Sequence, residues 1–429
     1  MHERDLDSRR VVGAAGTRHR AQANGADVTG FSRRSVLRAL GAAGAASAAS
    51  GVALSAAPAP AGAAGSGSPD HGRVPDDLRP GGAYDRFVAE LAERDEFSGT
   101  ILVSQRGRTV LSRSYGLADK EREIPNARDT IFATGSVTKL FTAIAVVQLA
   151  EREQLRFHQT VGEFLDGFAP EVADAVTVHH LLIHTSGLGD YVQTDAWKEG
   201  RQVWDSPEEI MAGISGIVRG QPAPAVPPGD AEAYSNSGYH VLGEIVAAVS
   251  GQPYYDYVRE HVFGSADMTD ADFYTKPAWR DDPRIAIPYT LDAAGDRVDA
   301  LDQLPYTGAP AGNAHATADG LAGFARALDD DDLLGSLYRG IYLDTKRPGL
   351  WSDTQDMPSQ VKFNTYGPHA LLVNEQWGLG HNGGAPGIGA YLEWYPAQDI
   401  VSVVLCNYDA QMTSTIAATA RRIAMGGDW

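Results

Sequence analysis

Three short motifs, in chain order, carry residue types that could do chemistry together: Ser136-Val137-Thr138-Lys139, Tyr234-Ser235-Asn236 and His381-Asn382-Gly383. A serine hydroxyl is a poor nucleophile until a neighbouring base takes its proton, and a lysine is that base only where burial or nearby cations make it neutral. A tyrosine beside the pair can relay the proton to a leaving group. An asparagine amide can hold a substrate's carbonyl and N–H, and glycines let a strand approach the substrate closely. Spacing alone is weak: with 25 Ser and six Lys in 429 positions, Ser-x-x-Lys arises by chance roughly 0.35 times. A second copy in fact exists at Ser359-Gln360-Val361-Lys362.

Context separates the two copies. Gly135-Ser136 opens a run from Val137 to Leu149 that is apolar on nearly every side, as expected of a helix inside a domain. One helical turn then places Ser136 and Lys139 on one face, with the serine near the positive end of the helix dipole. The second copy leads into the strand-like alternation Val361-Lys362-Phe363, which turns Lys362 away from its neighbours' face, and reads as coincidence. Tyr-x-Asn and His-x-Gly each occur once in the chain. The bland alternative for Lys139, a snorkelling or salt-bridged lysine, loses ground once all three motifs stand in order.

The elements that must position these residues are readable in outline. Tyr84, Phe87, Val88 and Leu91 mark one face of a helix. Gly99 to Ser104 and Thr109 to Tyr115 flank the turn Gln105-Arg106-Gly107-Arg108 as a hairpin. From about 150 to 300, helical patterns alternate with Pro- and Gly-rich connections, a mostly helical insertion. The tail returns to strand at Tyr391 to Tyr395 and Ile400 to Cys406 around Pro396-Ala397-Gln398-Asp399, then closes with a helix from about Ser414 to Met425. The expected fold is α+β, one antiparallel sheet built from both chain ends and flanked by helices, with the helical subdomain inserted.

Lys+Arg against Asp+Glu leaves a net charge of −19, which repels phosphate backbones and anionic lipid, so nucleic acid and a bilayer surface are excluded as partners. The single Cys406 allows no internal disulfide and no Cys-x-x-Cys site. His180 and His184 are spaced i, i+4 but lack the glutamate of a His-Glu-x-x-His helix and a third ligand, so no metal is expected. Asp329 to Asp332 reads as a solvated acidic turn. Gly-x-Ser-x-Gly, the nucleophile elbow of α/β-hydrolases, is absent.

The chain start follows another logic. Phe31-Ser32-Arg33-Arg34-Ser35-Val36-Leu37 precedes an Ala/Gly-rich, weakly apolar stretch and then Pro58-Ala59-Pro60-Ala61-Gly62-Ala63. It resembles a twin-arginine export signal, expected over residues 1–63, with a flexible linker over 64–82 and the folded domain over 83–426. Cleavage after Ala63 would leave a net charge of −23.

Taken together the motifs resemble those of the penicillin-recognising serine hydrolases: class C β-lactamases, D-Ala-D-Ala carboxypeptidases, and their esterase and D-aminopeptidase relatives. The likeness extends to Phe97-Ser98-Gly99-Thr100, Tyr115-Gly116-Leu117-Ala118, His180 to Leu188, Pro227-Pro228-Gly229, Ser237-Gly238-Tyr239 and Gly380 to Gly387. The resemblance implies an acyl-enzyme on Ser136, activation by Lys139, Tyr234 as general acid/base, and Asn236 as a substrate-amide holder. It also implies an oxyanion hole from the backbone N–H groups of Ser136 and Gly384, and a third motif, His381, Asn382 and Gly383, binding substrate on an edge strand beside the cleft. No cofactor is implied. The partner is a small-molecule or peptide substrate, cell-wall peptide included, met by a monomer with no stable membrane anchor. Relatives that bind a substrate carboxylate carry Thr or Ser where Asn382 stands, and a histidine gives less fixed positive field than a lysine. No arginine can be placed beside His381 from the sequence. An uncharged ester or amide, or a D-amino-acid peptide, is therefore expected ahead of a β-lactam. A catalytically inactive cell-wall sensor on the same fold is the remaining alternative, and it has no use for a buried lysine.

Overall fold

The computed structural model describes residues 73–349 and 361–426; the expected export signal, and Ser359 of the second Ser-x-x-Lys, lie outside them. Eight strands form one antiparallel sheet: β1 (Gly99–Gln105), β2 (Arg108–Tyr115), β3 (Arg347–Pro348), β4 (Val361–Asn364), β5 (His369–Val373), β6 (Gln376–Ala385), β7 (Ile388–Tyr395) and β8 (Ile400–Cys406). Their order across the sheet is β2-β1-β8-β7-β6-β5-β4-β3. The first and last strands of the chain thus lie side by side, one strand in from an edge, where Gly99 pairs with Cys406 and Gln105 with Ile400. This is the α+β sheet from both chain ends that the sequence leads one to expect.

Helices cover both faces, because the strands are apolar on both sides. In β8, Val403 and Leu405 enter one core while Val404 and Cys406 enter the other, the alternation that a pleated strand imposes. One core contains α1 (Ala83–Glu93) and the closing helix α5 (Gln411–Ala424). The other contains α2 (Thr138–Glu151), α3 (Asn236–Ser250) and α4 (Ala318–Asp329). Every residue of α2 from Thr138 to Ala150 is buried, as a run apolar on nearly every side demands. The region between 150 and 300 is mainly helical and adds one short hairpin, Tyr289–Leu291 with Arg297–Asp299.

Two details depart from the expected layout. Residues 74–82, expected as linker, pack onto the domain: Asp76–Leu78 form a 3-10 turn, with Val74 and Leu78 buried in the α1/α5 core. Two apolar side chains separated only by Pro75-Asp76-Asp77 leave no repeating signal, yet both are buried against the domain. The third motif, expected on an edge strand, lies on β6, an internal strand, because β3 to β5 extend the sheet past it. However, β5 pairs only with Gln376 to Gly380, whereas His381 to Ala385 have only β7 as a ladder partner. The motif therefore has one open side despite its internal position.

Candidate active site

Ser136 sits in a 3-10 turn, Gly135–Val137, that runs directly into α2. The turn is pinned from several sides. Thr134 N donates to Ala314 O at 2.8 Å, Asn313 N to Gly135 O at 3.0 Å, and Ala314 N to Thr138 Oγ1 at 2.9 Å. Gly135 adopts φ +51°, where a side chain is strained. A Cβ there would lie 2.6 Å from Gly384 N, and one on Gly383 would lie 2.0 Å from Thr134 O and 2.8 Å from Ser136 N. Two facing glycines thus let β6 pass against the turn, which brings the backbone of Gly383 and Gly384 beside that of Ser136.

Around the serine oxygen the side chains converge. Tyr234 OH donates to Ser136 Oγ at 2.8 Å, and Lys139 Nζ lies 3.2 Å from the same oxygen. Lys139 also contacts Asn236 Oδ1 at 2.7 Å and Ala311 O at 2.6 Å. It is fully buried, and that burial pulls its pKa down to about 7 against the weaker opposing pull of Asp190. A neutral amine has two hydrogens and one lone pair. The carbonyl oxygens of Asn236 and Ala311 can only accept, so they take the two hydrogens, and the lone pair is left for the Ser136 hydroxyl. The Tyr234 phenol is pushed upward by burial of its hydroxyl end, although the residue as a whole is 44% exposed. It therefore keeps its proton near neutral pH, where Lys139 is readily neutral.

Asn236, expected to hold a substrate amide, is engaged at both ends: its oxygen faces Lys139, and its Nδ2 donates to Asp190 Oδ1 and Oδ2 at 3.1 and 3.0 Å. It serves here as a bridge between the lysine and a carboxylate. His381 is buried, stacked on His369 with ring centroids 4.5 Å apart. Its Nδ1 lies 2.6 Å from Asn382 O, so Nδ1 carries the hydrogen, while Nε2 has no partner among the described residues. Burial, and then the nearby Lys139 charge, push its pKa down to about 3. His381 is thus a neutral imidazole. Asn382 projects on the opposite, exposed side of β6.

Three contributors escaped the sequence reading. Asp190 follows a Gly-rich loop, 46 residues from Asn236, with no spacing that links them. His184, at φ +59°, accepts from Ser235 N through Nδ1 at 3.2 Å and from Ala233 N through its carbonyl at 2.9 Å. Its ring stacks on Tyr234 at 4.5 Å, so it sets the position of the phenol. As an acceptor it must be neutral, in line with burial holding it well below the usual histidine range. Its spacing from His180 suggested only a metal pair, but His180 instead accepts from Thr177 N in a helix cap. Lys362, dismissed as part of a coincidental motif, lowers the pKa values of His184, His369 and His381 by its charge. It is a second cation, beside Lys139, that acts on the third motif, and it comes from β4.

A cleft of about 390 Å³ opens beside Ser136, walled by Tyr191, Trp197, Arg201, Leu304, Pro305 and Gly384 to Pro386 among others. Tyr191 is part of this wall, whereas Trp377 packs on Phe363. Among the described residues no cluster of three His, Cys, Asp or Glu side chains could hold a metal ion.

A sequence profile of the family described as Beta-lactamase matches residues 84–425. PbpX of Bacillus subtilis (strain 168), a protein named for penicillin binding, is 30% identical over 279 residues, which are 64% of this chain and 65% of that protein. Esterase EstB of Burkholderia gladioli is 33% identical over 211 residues, 47% of this chain and 53% of the esterase. The chain therefore spans between about half and two thirds of the length of these two relatives. A crystal structure of a penicillin-binding protein from Bacillus halodurans aligns with TM-score 0.69 at 28% identity, covering 77% of this chain and 98% of that one.

Proposed function

The chain belongs to the Beta-lactamase family of serine hydrolases, and on that premise we propose that it is an exported hydrolase of amide or ester bonds that works through an acyl-enzyme on Ser136. The observation that carries the reading is the Ser136 hydroxyl held between a donor, Tyr234 at 2.8 Å, and a buried, readily neutral base, Lys139 at 3.2 Å. In the first step Ser136 Oγ attacks the substrate carbonyl carbon as its proton passes to Lys139 Nζ. The oxyanion is received by the backbone N–H groups of Ser136 and Gly384, a contribution of a few kcal/mol per donor. The C–O or C–N bond then breaks, the leaving group takes its proton from Tyr234, and Tyr234 recovers one from Lys139. Water repeats the sequence on the ester and frees Ser136.

The third motif supports a substrate without a carboxylate on its side. Neutral His381 and the Asn382 carboxamide supply no fixed charge of their own, and burial lowers the pKa of Lys362, the neighbouring cation on β4. EstB, named as an esterase, favours the same choice. A D-amino-acid or cell-wall peptide amide fits the chemistry equally, acted on by a monomer free of a membrane anchor. Among the described residues no helix is long and apolar enough to cross a membrane. Export rests on the Arg33-Arg34 signal-like segment.

The test is to incubate the protein and its Ser136→Ala variant with benzylpenicillin and with an activated neutral ester, recording intact mass and product release. Ser136-dependent labelling by the ester without a penicillin adduct is the expected result. A Ser136-dependent penicillin adduct or turnover would move the protein to the carboxylate-recognising peptidases and β-lactamases. Labelling by neither reagent would return it to the inactive sensor class.

A further inference from the structure

The cleft beside Ser136 is one-sided, and the side decides which part of a substrate it holds. Tyr234, which hands the proton to the leaving group, lies outside its wall, as do His381 and Asn382. The wall continues instead past the oxyanion strand through Gly384, Ala385 and Pro386. Under the reading of Ser136 just given, on which this inference rests, the leaving group departs on the Tyr234 side, so the cleft receives the acyl portion.

Its lining is mostly apolar: Tyr191, Val192, Trp197, Leu304 and Pro305 form the body of the wall. Two cations stand among them, and they differ. Lys198 is exposed and already paired with Asp195 at 2.8 Å. Arg201, half-buried at the end of the Asp195–Gly200 helix, donates through Nη1 to the carbonyl of Gln303. Among the described residues it has no carboxylate within salt-bridge distance, and its buried Nε–H has no acceptor. A guanidinium keeps its charge in any surroundings and offers a planar fork that matches a carboxylate. A half-buried cation with no carboxylate beside it in an apolar wall is costly to keep empty, and a ligand anion would answer its charge.

We propose that this cleft is an acyl subsite for chains with an apolar body and a distal carboxylate, and that Arg201 is the residue that selects them. The neutral third motif and the cationic cleft then divide the substrate between them: no charge on the leaving-group side, a negative charge at the far end of the acyl chain.

The experiment compares para-nitrophenyl monoesters of glutaric and adipic acid with para-nitrophenyl pentanoate and hexanoate, using kcat/KM for the full protein, Arg201→Gln and Arg201→Lys. The expected result is a preference for the carboxylate esters in the unaltered protein that falls by about tenfold or more in Arg201→Gln. Arg201→Lys should retain part of it, and raising the salt concentration should weaken it. A purely structural role for Arg201 would slow both ester classes alike and leave the ratio unchanged, and that outcome overturns the proposal. So does an unaltered protein that shows no preference while still hydrolysing the neutral esters through Ser136. Turnover that persists in Ser136→Ala would instead strike the parent reading, so the two failures are distinguishable.

Discussion

Two buried cations in this molecule sit near opposite ends of two helices and meet opposite surroundings. Arg421, in the last turn of α5, lies against Glu393 of β7 with Nε 3.2 Å from Oε2 and a second contact from Nη2 to Oε1. Tyr395 donates to the same carboxylate at 2.7 Å. Burial disfavours the Arg421 charge, yet Glu393 and its neighbours outweigh it and raise the guanidinium further. Lys139, at the start of α2, has only neutral acceptors, with its one nearby carboxylate, Asp190, held off behind the Asn236 amide. A full counter-charge in contact locks a buried cation as a structural pair. A counter-charge one amide away leaves the group ready to lose its proton, which is what a general base requires.

Removing Lys139 should give the largest effect. Lys139→Ala is expected to lower ester turnover by about a thousandfold or more, close to the loss in Ser136→Ala, because the two act as a unit. Lys139→Arg should be nearly as poor, since a guanidinium does not release its proton. Full activity in either lysine variant would end the contrast with Arg421.

Glu393→Ala tests the other cation. Left buried and unpaired, Arg421 should reduce stability by about 3–5 kcal/mol, read from urea unfolding, with the midpoint of the pH–rate profile unmoved. Tyr234→Phe should slow the chemical step by about a hundredfold while sparing the fold. A drop in melting temperature as large as the activity loss would make the tyrosine a packing residue.

The finest test is titration. Lys139 acts when neutral, so kcat/KM should rise with pH through an acid limb centred at about 7. Asp190→Asn removes the charge that favours the ammonium, and the limb should move to lower pH by about half a unit; movement upward would refute the assigned role of Asp190. The same shift has a stability consequence. The folded-state pKa lies below that of a free lysine, so between about pH 7 and 10 the unfolded chain binds more protons at this position, and stability gained from this group rises with pH. Replacing Lys139 by Met should flatten that rise.

Much of the frame was legible because it depends on local periodicity. The β1–β2 hairpin, the buried run of α2 and the β7–β8 return all declare themselves by composition and turn residues. So does the Ser136–Lys139 pair, since i and i+3 residues on a helix must be neighbours. Asp190, His184 and Lys362 were not legible: each reaches the site from a separate loop or strand, and nothing in their local sequence marks the residue they meet. Lys362 is the instructive case. The alternation of β4 was read correctly as strand, but which charges share its face depends on β5 and β6 lying beside it.

By itself, then, the sequence determined that Ser136 and Lys139 are neighbours, the order of the three motifs, the sheet made from both chain ends and the family. Local helix and strand geometry, together with burial of apolar runs, is enough for those. Only the tertiary structure decided that Lys139 is ringed by neutral acceptors while Arg421 is matched to Glu393, that His381 is a neutral imidazole, and that Arg201 faces the cleft. Protonation state and selectivity depend on the distance between groups far apart in the chain, and such distances exist only once the helices and the sheet have packed.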